Sequence, residues 1–496
     1  MDPGDEHSST YGRAAWLFRR LLGVAYLFAF WSLATQIIGL IGHDGILPAA
    51  DYMAQVREFA ARNGIGLDRL RLVPTLFWIS TSDGFLESVC LGGVVLAALL
   101  IAGIAPAIVL PLLWIAYLSL SAAGQDFLGF QWDALLLETG FLAIFAAPLK
   151  LRDGPKGAPD PNPVMRWLFW MLIVKLMVSS GAIKLASGDP TWRDLTAVSF
   201  HYETQPIPTP AAWYANQLPL WFQKGTTATV IGLEILAPLL IVCGRTARVV
   251  AFVLLAGLQV LIAVTGNYAF FNLLTIALLM WLLDDRAVAL VIREPAANLV
   301  AARARSRLSI AVAVIVAVAT LPVSGLQFAR SFGIDLRAIP LVGDTARIIA
   351  PFRSVNSYGL FAVMTTTRPE IVVEGSDDGA SWKPYEFRYK AGDLNRRPPW
   401  IAPFQPRLDW QMWFAALGSF SEESWFQAFC ERLLEGSPDV LSLIDGNPFP
   451  ESPPRFLRAR LYQYHFSDRA TRQTSGAWWK SELLGDYAPI IPRESR

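Results

Sequence analysis

LSIAVAVIVAVATLPVSG, residues 308–325, is the last long apolar run of this 496-residue chain, and the place where it stops decides how the fold is read. Eight similar runs precede it, at 21–42, 88–105, 107–123, 134–149, 164–186, 226–243, 247–265 and 267–283. A helix needs roughly 20 apolar residues to cross a hydrocarbon core. None follows Gly325. The expectation is therefore an α-helical multi-pass membrane bundle of about nine spans over 21–325, behind a cytoplasmic tail at 1–20. A soluble, β-rich α+β domain over 326–496 completes the chain. The tight pairs at 88–123 and 247–283 can each be a helical hairpin or one crossing plus a re-entrant piece.

Composition agrees with this division. Hydrophobic residues make up 53% of the chain and charged residues 17%, against about a quarter charged in a soluble domain. Mean hydropathy is +0.38. A net charge of +1 gives no field for nucleic acid. The first run is too long for a cleavable signal and lacks a small-residue cleavage site, so it is expected to remain as the first helix. Arginine outnumbers lysine 34 to 8, as in a GC-rich bacterial genome.

Loop charges set the expected orientation. Arg13, Arg19 and Arg20, then Lys150, Arg152 and Lys156, then Arg245 and Arg248, then Arg286, Arg293, Arg303, Arg305 and Arg307 all fall on one side if there are nine spans. That side reads as cytoplasmic, so the C-terminal domain and the loops 43–87 and 187–225 are expected outside. The long loop 43–87 dissents with Arg57, Arg62, Arg69 and Arg71, offset by acidic residues. An even span count would reverse the domain.

Four ionisable residues fall inside the apolar runs: Glu138, Lys175, Lys184 and Glu234. Charges at this depth are costly and face the bundle interior. Lys175 and Lys184 are nine residues apart, which places them on opposite helix faces. They form either structural ion pairs, with Lys175–Glu234 the expected one, or a polar cavity open to the outside. In the loop 187–225, Arg193, Asp194, His201, Tyr202 and Glu203 form a dense polar cluster amid interfacial aromatics. One histidine with carboxylates is a thin metal site, and no metal or cofactor is expected. Three cysteines without a C-x-x-C pair argue against thiol chemistry.

In the soluble part, strands are expected at Tyr358–Thr366, Glu370–Glu374, Ser381–Lys390 and Phe456–Phe466. A turn at Ser376–Gly379 separates the second and third, and its paired aspartates lack the spacing of a calcium loop. Ser421 is the expected cap of a helix ending near Gly436, and Pro438 opens another. Arg407, Asp409, Trp410, Trp413 and Phe414 mark an aromatic helical stripe. It docks on the domain core or the membrane surface, or else it is an exposed face that holds a partner.

Longer strings carry a family resemblance: GLIGHDGILPA at 39–49, FQWDALLLETGFLAIFAAP at 130–148, GAIKL at 181–185, TWRDLTAVSFHYETQPIPTP at 191–210, YGLFAVMTTTRPEIVVEGSDDGASW at 358–382 and APFQPRLDWQMWFAAL at 402–417. With these the chain resembles the lipase maturation factor family. The resemblance implies a multi-pass membrane protein that helps secreted lipases reach their active state, its C-terminal domain engaging the client. Animal members sit in the endoplasmic reticulum with that domain in the lumen. For a bacterial chain the equivalent is the inner membrane, with the domain outside the cytoplasm. The implied partners are the bilayer and a secreted lipase or other exported protein, not nucleic acid. GAIKL followed by Trp192 also looks like the membrane domain of vitamin-K-dependent carboxylases. That likeness implies an enzyme using a lipid-soluble quinol, with Lys184 as base. A transporter is the third reading of the buried charges, although no internal repeat is evident.

Overall fold

The computed structural model describes residues 10–155, 158–292, 307–337 and 339–493. Lys156, Arg293, Arg303 and Arg305 lie outside the described residues. The first helix, α1 (Gly12–Ala34), begins well before Leu21, so the boundary expected at residue 20 moves into a helix. Its start is fixed from a distance: the Asp285 carboxylate accepts the backbone amides of Gly12, Arg13 and Ala14. These are N-terminal amides with no partner inside the helix. Arg19 and Arg20 are not loop charges, because both guanidinium groups reach Asp153.

Two helices, α2 (Asp83–Ala102) and α3 (Pro106–Ala123), resolve the first tight pair as a hairpin. Gly103 takes the left-handed conformation that ends the one, and Pro106 opens the other. Next come α4 (Gln131–Ala146) and α5 (Pro163–Ala186). A short α6 (Ala197–Thr204) lies in the loop that follows. After it, α7 (Leu220–Leu236) continues as a 3-10 turn to Val242, and α8 (Arg245–Thr265) is a full-length helix. Its partner α9 (Phe271–Leu279) is short even with the 3-10 turn that extends it to Leu282. Finally α10 (Arg307–Arg330) leads out of the bundle.

Among the described residues seven helices are long and apolar enough to cross a bilayer. Both α4 and α9 fall short of that length, yet each joins the same two ends as its neighbours. At one end, Arg20 bonds Asp153, Arg245 bonds Asp284, and Asp285 accepts the Ala14 amide. At the other, the segments before α4 and α9 touch the C-terminal domain through Phe127 and Asn267. The chain therefore passes from end to end nine times within the described residues. Among the described residues, Arg19, Arg20 and Arg245 of the basic clusters share one end, opposite the C-terminal domain.

Past α10, an exposed amphipathic helix α11 (Pro340–Ile349) precedes the domain. The sheet is antiparallel with order β2-β1-β3-β4. Its strands are β1 (Pro369–Ser376), β2 (Lys383–Pro384), β3 (Phe456–Phe466) and β4 (Trp479–Pro492). In β1 and β3, Glu370 pairs with Tyr462 and Gly375 with Leu457.

Three expectations are corrected here. Tyr358–Thr366 is not a strand: the amides of Gly359 and Met364 and the carbonyl of Phe361 pair with Gln131, Asp189 and Trp192 instead. The strand expected over 381–390 shrinks to two residues, since Tyr389 and Lys390 give their amides to Asp409. The helix expected from Ser421 starts at Ser424. It ends as expected at Gly436, where φ is +73°. The Asp378 carboxylate is occupied by the amides of Ala380 and Ser381. Those hydrogen bonds, together with hydroxyls from Ser376 and Ser381, hold its pKa well below the usual carboxylate range.

Candidate functional site: the junction between bundle and C-terminal domain

The aromatic stripe forms α12 (Arg407–Leu417), and it is buried rather than displayed. Arg407 is fully enclosed and donates to both oxygens of Asp133, at 3.1 and 2.9 Å. It also donates to the Phe127 carbonyl at 2.5 Å and to the Tyr117 hydroxyl at 3.3 Å. Burial works against its charge, but Asp133 and Tyr117 outweigh that and raise its pKa above the ordinary value. Asp409 is raised by burial, opposed by the amides of Lys390 and Tyr389. Trp410 packs edge-on against Trp132 with centroids 4.7 Å apart. Trp413 donates its indole N–H to the Thr204 carbonyl at 2.8 Å. Only Phe414 and Leu417 are substantially exposed, at 40% and 44%. The reading of Arg407, Asp409, Trp410 and Trp413 as an open client-binding face is thus overturned. A bidentate guanidinium and two indoles seat the helix on the bundle instead.

The intramembrane charges pair, but not as expected. Lys175 donates to Glu138 at 2.5 Å, and Lys184 donates to both oxygens of Glu234 at 2.7 Å. The expected Lys175–Glu234 pair does not form, because Lys175 and Lys184 lie on different seams of α5, and Glu234 of α7 meets the seam that carries Lys184. Gly181 sets the second seam: a Cβ there would stand 2.6 Å from Ile235, so α5 and α7 meet at close range. Glu138 also accepts the Asn356 amide at 2.9 Å and the Tyr358 hydroxyl at 2.7 Å. That buried pair is therefore also a clasp on the C-terminal domain.

Residues of the loop 187–225 do not gather into one polar cluster. Arg193 and Asp194 are exposed. Tyr202 is buried in an apolar cluster with Trp213 and Trp478. Glu203 accepts from His465 and from the Phe466 amide, at 2.8 Å each, across to β3. His201 turns the other way, its Nε2 2.8 Å from the Tyr268 hydroxyl. Burial, with a smaller effect from Lys184, pushes its pKa down to about 4.

Several junction residues gave little sequence signal. Asp133 lies one residue outside the apolar run that begins at 134. Arg368 is fully buried, pairs with Glu370 at 2.7 Å, and donates to the carbonyls of Glu203, Gln205 and Pro206. Asn267 accepts the amides of Ile401 and Ala402. Asp189 accepts the Met364 amide at 2.6 Å. Burial raises its pKa, but this and the Thr191 bonds prevail and lower it. A side chain that satisfies distant backbone leaves no local pattern in sequence.

This junction joins two regions that match two family models in the same order. The lipase maturation factor transmembrane domain matches residues 13–290, and the lipase maturation factor C-terminal domain matches residues 354–489. The chain belongs to the lipase maturation factor family. Lipase maturation factor 2 of Gallus gallus is 38% identical over 96% of this chain and 81% of its own. The Homo sapiens protein of that name is 36% identical over 96% and 82%. Lipase maturation factor 1 of Mus musculus is 34% identical over 99% and 90%. No solved structure matches the chain. As a family member it is an integral membrane protein, and its Arg407–Asp133 seat bridges the two matched domains.

Proposed function

We propose that this protein is a membrane-embedded maturation factor for exported lipases or related exported proteins, which it engages through the C-terminal domain. The observation that carries the reading is its near end-to-end relation, through both domains, to proteins named for lipase maturation. A bacterial inner membrane, with the domain facing away from the cytoplasm, fits the basic residues at the opposite end of the bundle. With α12 buried, the client surface moves to the free edge of β4. It is the outermost strand, with Leu483, Leu484 and Ile490 exposed. A bare edge offers backbone hydrogen bonds to an extended segment of an unfinished client. The enzymatic reading requires Lys184 to leave both oxygens of Glu234 before it could act as a base.

Photo-crosslinking tests this. A photoreactive residue at Leu484 should capture a lipase during export, whereas one at the exposed bundle residue Ile108 should not. Equal capture at both, or none at Leu484 while the lipase still matures, would remove the edge from the mechanism.

A further inference from the structure

Between α5, α6, α7 and α8 lies a cavity of about 120 Å³, lined also by Leu360, Phe361 and Met364 of the C-terminal region. That is comparable to the ~150 Å³ cavity that admits benzene. Most of its wall is hydrocarbon, including Met177, Val230, Ile262 and Phe271. Its polar part is specific. Lys184 has three N–H donors, and two are used by Glu234. The Trp192 ring lies 5.3 Å from Nζ. Tyr268 donates to Gln205 Oε1 at 2.9 Å, so the Tyr268–His201 bond takes its proton from His201 Nε2. Nδ1 of His201 is then a bare acceptor, and it is buried without a partner.

The backbone around this cavity is strained in three places. Leu195, Ala269 and Phe361 have φ of +60°, +49° and +55°. Non-glycine residues held in this region cluster at functional sites. Leu195 links Trp192 to α6, Ala269 follows Tyr268, and Phe361 is itself a wall. Trp192 donates to the Phe361 carbonyl at 3.0 Å, and the Phe361 ring stands edge-on to His201 at 4.6 Å. Contacts of this kind hold the costly conformation in place.

We infer that this cavity binds the hydroxyl end of a neutral aliphatic alcohol, such as a membrane lipid bearing a free hydroxyl. A hydroxyl donates to His201 Nδ1 and accepts the third proton of Lys184. An ester only accepts, and an alkyl chain does neither. A carboxylate would add an unbalanced charge, because Glu234 already neutralises Lys184. The apolar walls take the first carbons, and the rest of the chain lies in the bilayer.

The test is photolabelling of the purified full chain with a diazirine-bearing octanol, the labelled residues read by mass spectrometry. Saturable labelling of Met177, Tyr268 or Phe361 is expected. Unlabelled 1-octanol should reduce it at least tenfold, and octanoate at the same concentration and neutral pH should not. His201→Phe keeps an aromatic ring but removes both the Nδ1 acceptor and the Nε2–H bond to Tyr268, so saturable labelling should fall about tenfold with the melting temperature maintained at neutral pH. The proposal is overturned if octanoate competes as well as 1-octanol. It is equally overturned if label spreads without saturation over the lipid-facing helices. Both readouts use the unaltered protein and stand even if the variant does not fold.

Discussion

Arg407 and Asp133 show most clearly what single residues do here. Each is fully buried, and removing one partner strands a charge away from water. Arg407→Ala or Asp133→Ala should therefore cost about 3–5 kcal/mol. Replacing both with apolar residues of similar size should cost less than either alone. Chemical denaturation of the four proteins in detergent checks this, and additive losses would contradict it. The same logic separates the two lysines. Double-mutant cycles should give coupling for Lys175 with Glu138 and for Lys184 with Glu234. Lys175 and Glu234 should add within about 0.5 kcal/mol. His201 supplies a pH dependence. Its folded pKa of about 4 lies below the ordinary 6.5, so the unfolded chain takes up a proton that the folded chain refuses. This contribution to stability is complete above about pH 6.5 and is lost as pH falls toward 4. The melting temperature of the parent should fall over that window more than that of His201→Phe. Sequence revealed that Glu138, Lys175, Lys184 and Glu234 are buried. It did not reveal their partners, because pairing depends on which helices adjoin.

Among the elements, α12 takes one of the two roles its sequence left open, and β4 is a strand its sequence did not announce. The aromatic stripe of α12 reads in sequence as either a docked face or a binding face, and it is docked: Trp410 and Trp413 are 3% and 7% exposed and hold the helix to the bundle. Trp410→Ala should cost about 3–5 kcal/mol and open the junction to protease. Phe414→Ala, at an exposed position, should stay within about 0.5 kcal/mol. Cleavage patterns across residues 355–405 distinguish the two. Strand β4 escaped the periodicity that revealed β3. Gly485, Pro489 and Pro492 interrupt its apolar residues, and its pairing with β3 shifts register three times. Such features belong to edge strands. The nine apolar runs were legible because the bilayer demands them. The extra turns of α1 were not, because Arg13 and Arg19 are accommodated there by tertiary contacts.

Among the described residues, the molecule is a bundle of nine end-to-end passages, seven of them long enough to cross a bilayer, with a docked C-terminal domain. Clasps at Arg407–Asp133, at Tyr358–Glu138, and from Arg368 to the carbonyls of Glu203, Gln205 and Pro206 bind it at separated points. The basic residues at the far end predict that a phosphatase reporter fused after Arg496 is active outside the cytoplasm. A reporter active only inside would reverse the orientation. We propose that this assembly brings exported lipases to their active state. The most direct measurement is the activity of an exported lipase per unit of lipase antigen. It should be made in cells with the protein, without it, and with the undocked Arg407→Ala form at equal membrane abundance. The ratio should fall several-fold without the protein and fall similarly with the undocked form, inactive lipase accumulating in both. An unchanged ratio in cells that lack the protein would contradict the account.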